Sequence, residues 1–426
     1  MTLREAGFQI FQAAIKAGDV GPLVTGALGS MDLSRYRRIL VVGAGKASGA
    51  MARTLEGVLG DRISAGLVVV KDGYTAPTRK IKLVEAGHPI PDERGLRAAN
   101  EILAVARSAG ADDLVIVLIS GGGSALAPCP APPITLEEKQ ALTRLLLAAG
   151  ANINELNVVR RHCSLFKGGR LAQAASPAPV LALILSDVIG DPLDVIASGP
   201  TAPDQTTYAD ALAILERFEV RARAPRAVVE HLERGARGEI PENPKADDPI
   251  FRHVQNRVIG NNRLVVEAAV REAEALGFRV SFVTRTLLGE AREVAKDFCR
   301  MATAVTPPAC LVAGGETTVT VKGKGIGGRC QEFALAGALS LEGMNDVLLL
   351  AAGTDGTDGP TDAAGALADG NTITKAARRN LDARPSLAAN DSYRFFSDLG
   401  DLITTGPTNT NLLDLYLLLV GPLPSG

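Results

Sequence analysis

A short apolar run, a glycine-rich turn and a helical stretch succeed one another repeatedly along this chain. That repeat constrains its fold more than any other feature. The first instance is Arg38-Ile39-Leu40-Val41-Val42, then Gly43-Ala44-Gly45-Lys46-Ala47-Ser48-Gly49, then a helical run from Ala50 to Leu59. Further strand candidates follow at Ala65–Val70, Lys82–Glu85, Leu114–Ser120 and Val180–Ser186. Gly95–Ala109 reads as a helix between them, and Asn152–Val159 as another. Thr135 and Glu138 have the spacing of a capping box, so a helix is expected from there to about Ala149. The first 30 residues also read as helix, with Phe8, Phe11, Ile15 and Val20 on a helical period. Near-continuous apolar strands alternating with helices imply a mostly parallel sheet covered on both faces.

The stretch from Gly235 to Asp248 is polar, with two glycines and two prolines, and reads as the domain boundary. The alternation resumes after it. Strands are expected at Val254–Ile259, Arg279–Thr284, Ala309–Ala313, Glu316–Val321 and Val347–Ala352. Helices are expected at Arg263–Leu276, Glu290–Met301 and Glu332–Leu341, with Ala364–Arg379 largely helical. The expected architecture is α/β: an N-terminal Rossmann-like domain over residues 1–240 and a C-terminal α/β domain over 241–426. These would form two three-layer α/β/α lobes with mostly parallel or mixed sheets and a ligand in the cleft between them.

Composition removes several function classes. Lys and Arg total 45 against 47 Asp and Glu, a net charge of −2, and there is no basic block, so nothing points to nucleic acid. No apolar run is long enough for a membrane span, and Met1–Val20 does not read as a secretory leader. The five cysteines form no CxxC pair, which suits a reducing compartment and a cytoplasmic protein. The four histidines show no zinc spacing.

The candidate chemistry shares one address, the ends of predicted strands, where open α/β sheets bind ligands. Gly43, Gly45 and Lys46 form the first loop; glycines let backbone N–H groups approach an anion, and the lysine adds a point charge suited to phosphate. The loop is neither a dinucleotide fingerprint, which needs glycine at Ser48, nor a Walker A loop. The second loop, Ser120-Gly121-Gly122-Gly123-Ser124, is a flexible backbone nest for an anion and not the G-x-S-x-G elbow of a serine hydrolase. The third is Gly314-Gly315-Glu316-Thr317, followed by a segment ending in Arg329 just before a helix. His88, in Ala86-Gly87-His88-Pro89, is the one histidine placed near a substrate. Asp187, Asp191, Asp355 and Asp358 follow apolar strands and suit Mg2+, whose remaining ligands come from water and phosphate; they would equally serve as turn acceptors. The cluster Arg160-Arg161-His162 to Lys167 reads as a small-anion site or a solvated helix end. Several anion cradles with a lysine, an arginine and magnesium-type aspartates favour phosphoryl transfer, where catalysis is mostly positioning and charge neutralisation.

Taken in order, the loops resemble the class II glycerate kinases, whose C-terminal part is the MOFRL domain and whose members have often carried the label hydroxypyruvate reductase. The resemblance covers nearly the whole chain. It rests on Gly43-Ala44-Gly45-Lys46-Ala47, Glu85-Ala86-Gly87-His88-Pro89, Ser120-Gly121-Gly122-Gly123-Ser124, Lys167-Gly168-Gly169-Arg170 and Leu185-Ser186-Asp187. It continues through Gly314-Gly315-Glu316-Thr317, Gly327-Gly328-Arg329-Cys330-Gln331-Glu332, Gly353-Thr354-Asp355-Gly356-Thr357-Asp358 and Thr405-Gly406-Pro407-Thr408-Asn409. Cys330 stands where the family usually has asparagine, and Asn409 where it has glycine. The resemblance implies phosphorylation of D-glycerate to 2-phosphoglycerate with ATP and Mg2+. It also implies that Lys46 and Arg329 are catalytic, that Asp187 with Asp191 orients the hydroxyl or binds Mg2+, and that the Ser120–Ser124 loop holds glycerate or phosphate. The expected partners are these small molecules, with the chain a monomer or a homodimer. Two other readings are carried: an NAD(P)H-dependent hydroxypyruvate reductase, for which Asp72 has a suitable spacing, and a non-catalytic protein that binds sugar acids or nucleotides.

Overall fold

The computed structural model describes residues 1–29 and 31–422. The chain divides into two compact units, one of Val20–Ile259 and one of Met1–Asp19 with the chain from Gly260 onward. Both are α/β, each with one six-stranded sheet.

In the first unit the strands are β1 (Ile39–Ala44), β2 (Ile63–Lys71), β3 (Ile81–Ala86), β4 (Leu114–Ile119), β5 (Val180–Leu185) and β6 (Val254–Gly260). Their order is β3-β2-β1-β4-β5-β6, and every pair from β3 to β5 is parallel. β1, β4 and β5 are buried along their whole length, as their unbroken apolar sequences require of strands covered on both faces. The capping box at Thr135 and Glu138 forms and starts the helix Leu136–Ala148. The strand order reverses between β1 and β4. The chain therefore leaves these two neighbours in opposite directions and opens a crevice beyond their carboxyl ends.

In the second unit the strands are β7 (Arg279–Glu290), β8 (Ala309–Thr318), β9 (Val347–Gly353), β10 (Gly365–Asp369), β11 (Leu402–Ile403) and β12 (Asp414–Val420). The order is β11-β10-β9-β12-β8-β7, and the sheet is mixed: β7 and β8 are parallel, the other pairs antiparallel. Its core packs Phe298, Phe333, Phe395 and Phe396 against the strands.

Four expectations change. The units do not divide at residue 240, because the polar stretch is tied into the first unit. There Arg170 Nε donates to Asn243 Oδ1 at 2.6 Å, and Asn243 Nδ2 donates to the buried Asp204 at 2.8 Å. The opening helix Leu3–Ala17 belongs to the second unit, where a Cβ on Gly7 would lie 2.8 Å from Leu348. The next helix, Val20–Leu28, belongs to the first, and Ser30 and residues 423–426 lie outside the described residues. Ala309–Ala313 and Glu316–Val321 are not two strands around a loop; β8 runs unbroken through Gly314 and Gly315, which pair with Leu415 and Asp414. The segment read as helical from Ala364 begins as β10, because it pairs edge to edge with β9. The central strand β12 was not anticipated from the sequence.

Candidate active site

The first loop leaves β1 at Ala44. Gly43 is therefore a strand residue, paired with Leu118 of β4. Gly45 has a φ of +152°, and a Cβ on it would lie 2.1 Å from Ser120 Oγ and 2.6 Å from Ser120 O, so only glycine fits there. Ser120 is fully buried; its Oγ accepts from the Ala47 N–H at 3.0 Å and lies 3.1 Å from Ser48 Oγ. Its hydroxyl thus fastens the two loops together. Lys46 N–H donates to Gly121 O at 2.9 Å, which fixes the Lys46 backbone while its side chain remains half-buried.

The second loop turns at Gly122, whose φ of +85° is left-handed. A Cβ there would lie 3.1 Å from the His88 imidazole and 3.5 Å from Lys46 Cγ. One bare backbone position thus brings together three expected site residues from β1, β3 and β4. The N–H of Gly123 already donates to Ser120 O at 3.3 Å, so part of the nest is used within the loop. Gly87 N–H donates to Asp92 at 2.9 Å, and Asp92 caps the helix Glu93–Arg107, which holds the His88 turn in place.

Ser124 stands in a buried polar chain that the sequence did not reveal. Lys167 Nζ donates to Ser124 O at 2.8 Å and to Ser124 Oγ at 2.9 Å. Ser124 Oγ and Ser198 Oγ are 3.0 Å apart, and Ser198 Oγ donates to Asn157 Oδ1 at 3.3 Å. Lys167 is fully buried, and burial, then the charges of Lys139 and Arg160, push its amine well below the usual lysine range. His88, Gly122 and Ser124 line a cavity of about 470 Å3 that also meets Lys139 and Arg160. Arg160 and Lys167 belong to the basic cluster visible in the sequence. Lys139 sits in an ordinary charged helix, and no local signal marks it.

Asp187 and Asp191 follow β5, both half-buried. Among the described residues no three His, Cys, Asp or Glu side chains gather as a metal cage. Mg2+ in phosphoryl transfer takes one or two protein carboxylates and completes its shell with phosphate and water. Asp187 and Asp191 suit that role.

In the second unit the expected residues gather differently. Arg329 opens the helix Arg329–Ser340 and donates to buried Asp414 through Nε at 2.5 Å and Nη2 at 3.0 Å. Its Nη1 donates to Glu316 at 2.7 Å. Two carboxylates thus aim the guanidinium. Thr317 is buried, with its Oγ1 3.0 Å from the Tyr416 hydroxyl, and that hydroxyl donates to Asp414 at 3.1 Å. Gly314, Gly315 and Thr317 lie within β8, where the glycines pair with β12 and Thr317 meets Tyr416. Asn409 has a φ of +59°, a left-handed conformation that asparagine tolerates, so it can stand where glycine is usual.

Asp358 and Asp355 take the turn role open to them in the sequence. Asp358 accepts from the N–H groups of Cys330 at 3.1 Å and Gln331 at 2.8 Å, at the start of the Arg329 helix. Asp355 Oδ1 accepts from Thr357 N–H at 3.0 Å. Burial, reinforced by nearby Asp414, raises the Asp358 carboxyl to about 7 against the pull of those N–H donors. Asp358→Ala should cost about 1–3 kcal/mol at pH 5, the usual loss for a buried cap. The folded chain keeps the proton up to about 7, while the unfolded chain loses it near the ordinary aspartate value of 3.8. The wild-type advantage therefore falls as pH rises between those values. Urea unfolding of both proteins at pH 5 and pH 8 checks this; a loss that grows with pH would contradict it.

Two α/β units, one with basic and hydroxyl groups at a strand-order switch, define a protein built to hold a small anionic ligand. Comparison with known proteins narrows the class. Residues 7–233 match the model of a domain of unknown function, DUF4147, and residues 309–414 match the MOFRL family. Glycerate 2-kinase of Pyrococcus horikoshii is 41% identical over 99% of this chain and 98% of its own length. D-glycerate 2-kinase of Thermotoga maritima is 41% identical over 98% of this chain and 99% of its own. The crystal structure of glycerate kinase from Thermotoga maritima superimposes with a TM-score of 0.88 at 40% identity, covering 98% of this chain and 99% of that one. The chain belongs to the class II glycerate kinase family.

Proposed function

We propose that this chain transfers the γ-phosphoryl group of ATP to the 2-hydroxyl of D-glycerate, with Mg2+. The observation that carries the proposal is the meeting of Lys46, His88 and Gly122 at the crevice between β1 and β4, in a chain that matches glycerate kinases from end to end. Lys46 neutralises charge that develops on the transferred phosphoryl group, a contribution that grows in a site shielded from water. His88 and Ser124 meet the acceptor's hydroxyl groups. Arg329, whose guanidinium Asp414 and Glu316 hold in one orientation, is the second catalytic cation that the likeness to the family supports. Asp187 and Asp191 supply the carboxylate share of the Mg2+ shell; when bound, Mg2+ screens the phosphate charge.

The five cysteines are buried free thiols, as suits a cytoplasmic enzyme. Among the described residues no helix is long and apolar enough to cross a membrane.

The test is product analysis. Incubation with D-glycerate, ATP and Mg2+ should give 2-phosphoglycerate by phosphorus NMR, and hydroxypyruvate should leave NADH and NADPH unoxidised. A 3-phosphoglycerate signal would overturn the carbon assignment. Nicotinamide oxidation without a phosphorylated product would overturn the kinase.

A further inference from the structure

The kinase reading leaves unexplained why one cavity of the first unit gathers positive charge and, among the described residues, no carboxylate. Lys139 is only 6% exposed, and Arg160 is half-buried. Both line the 470 Å3 cavity beside His88, Gly122 and Ser124. Among the described residues neither side chain makes an ion pair or a hydrogen bond. Lys167, fully buried behind the cavity, adds a third amine and is already committed to Ser124. Burial and the neighbouring Arg160 pull the Lys139 amine down to about 8. A buried charge without a partner is costly, and chains retain one where a ligand supplies the partner.

The lining identifies that ligand further. Among the described residues no Asp or Glu lines the cavity, so the protein offers no carboxylate there to share a magnesium ion with phosphates. The anion it suits is metal-free. Hydroxyl and imidazole groups, from Ser124 and His88, line the same cavity as donors and acceptors for alcohols. Exposed Ile90 and Leu147 leave the mouth apolar. A small hydroxy acid meets all three conditions, with its carboxylate on the cations and its hydroxyls on Ser124 and His88.

We propose that Lys139 and Arg160 are the seat of the acceptor's carboxylate. This deepens the D-glycerate reading and rests on it. Lys167 is then a positioning residue, which holds Ser124 through both its carbonyl and its hydroxyl. The seat also gives specificity: a polyol without a carboxylate leaves two desolvated cations unpaired and is rejected.

The test compares wild type with Lys139→Met and Arg160→Met in two measurements. Steady-state kinetics should show KM for D-glycerate raised by about 10- to 100-fold, the loss of one charge-assisted hydrogen bond, with KM for ATP unchanged. Lys139→Arg should recover part of the loss. Thermal unfolding without ATP should show D-glycerate stabilising the wild type but not Lys139→Met. The ligand-free variant should melt no lower than wild type, because it loses an unpaired buried charge. A rise in KM for ATP with KM for D-glycerate unchanged would overturn the proposal and make the cavity a nucleotide seat. Unchanged kinetics in both variants would also overturn it, and would leave the kinase standing. If the wild type makes no phosphoglycerate but D-glycerate still stabilises it and not Lys139→Met, the kinase reading fails and the anion seat stands.

Discussion

Lys46→Ala should lower kcat by about 10²–10³-fold, the usual effect of removing one positioned group that stabilises transition-state charge. The fold should survive the change. The loop around Lys46 is fixed by its backbone, through the Lys46 N–H on Gly121 O at 2.9 Å and the Ala47 N–H on Ser120 Oγ at 3.0 Å, and neither contact needs the side chain. The thermal midpoint should therefore move by no more than about 2 °C. KM for D-glycerate should change little, because Lys46 acts on the phosphoryl group while Lys139 and Arg160 hold the acid. Steady-state kinetics with a calorimetric melt decide the matter. Near-normal turnover would remove Lys46 from the mechanism, and a large drop in the melting point would make its role structural.

Gly45→Ala should damage both stability and activity. A φ of +152° suits glycine alone, and the new Cβ would lie 2.1 Å from Ser120 Oγ and 2.6 Å from Ser120 O. The conformation alone costs about 1–3 kcal/mol, and the clash with a backbone oxygen adds to it. A total of ~3 kcal/mol lowers the melting point of a unit this size by about 6–12 °C. Trimming Ser120 as well relieves only the contact with its hydroxyl, so Gly45→Ala with Ser120→Ala should stay well below wild type. Turnover should fall by at least about 100-fold, because a 1 Å shift of a catalytic group costs that much. A Gly45→Ala protein with normal stability and turnover would mean that the β1 and β4 loops are not locked together as described.

Several residues were legible in the sequence because their signals are local. Gly45 and Gly122 announce themselves as glycines at strand ends, and the structure gives both a positive φ, with a backbone clash as well at Gly45. Thr135 and Glu138 declare a helix start by spacing, since a capping box involves four consecutive residues. Lys46 and His88 were placed in strand-end loops, and the parallel sheet brings both to Gly122. Asp355 and Asp358 were harder. A magnesium ligand and a turn acceptor have the same sequence, and the Thr357, Cys330 and Gln331 N–H groups that these carboxylates accept from come into view only in the fold.

The sequence by itself determined the alternation of apolar strands and helices, the order of the loops, and membership in a family recognised by those loops. These are properties of residues near one another along the chain. The tertiary structure alone decided that β8 runs through Gly314 and Gly315, because β12, about a hundred residues on, pairs along both. It decided that the opening helix belongs to the unit formed by the chain from Gly260 onward. It decided too that Lys139 and Arg160 line one cavity that, among the described residues, no Asp or Glu lines. Long-range pairing and uncompensated charge depend on what the rest of the chain brings alongside, and no local pattern encodes that.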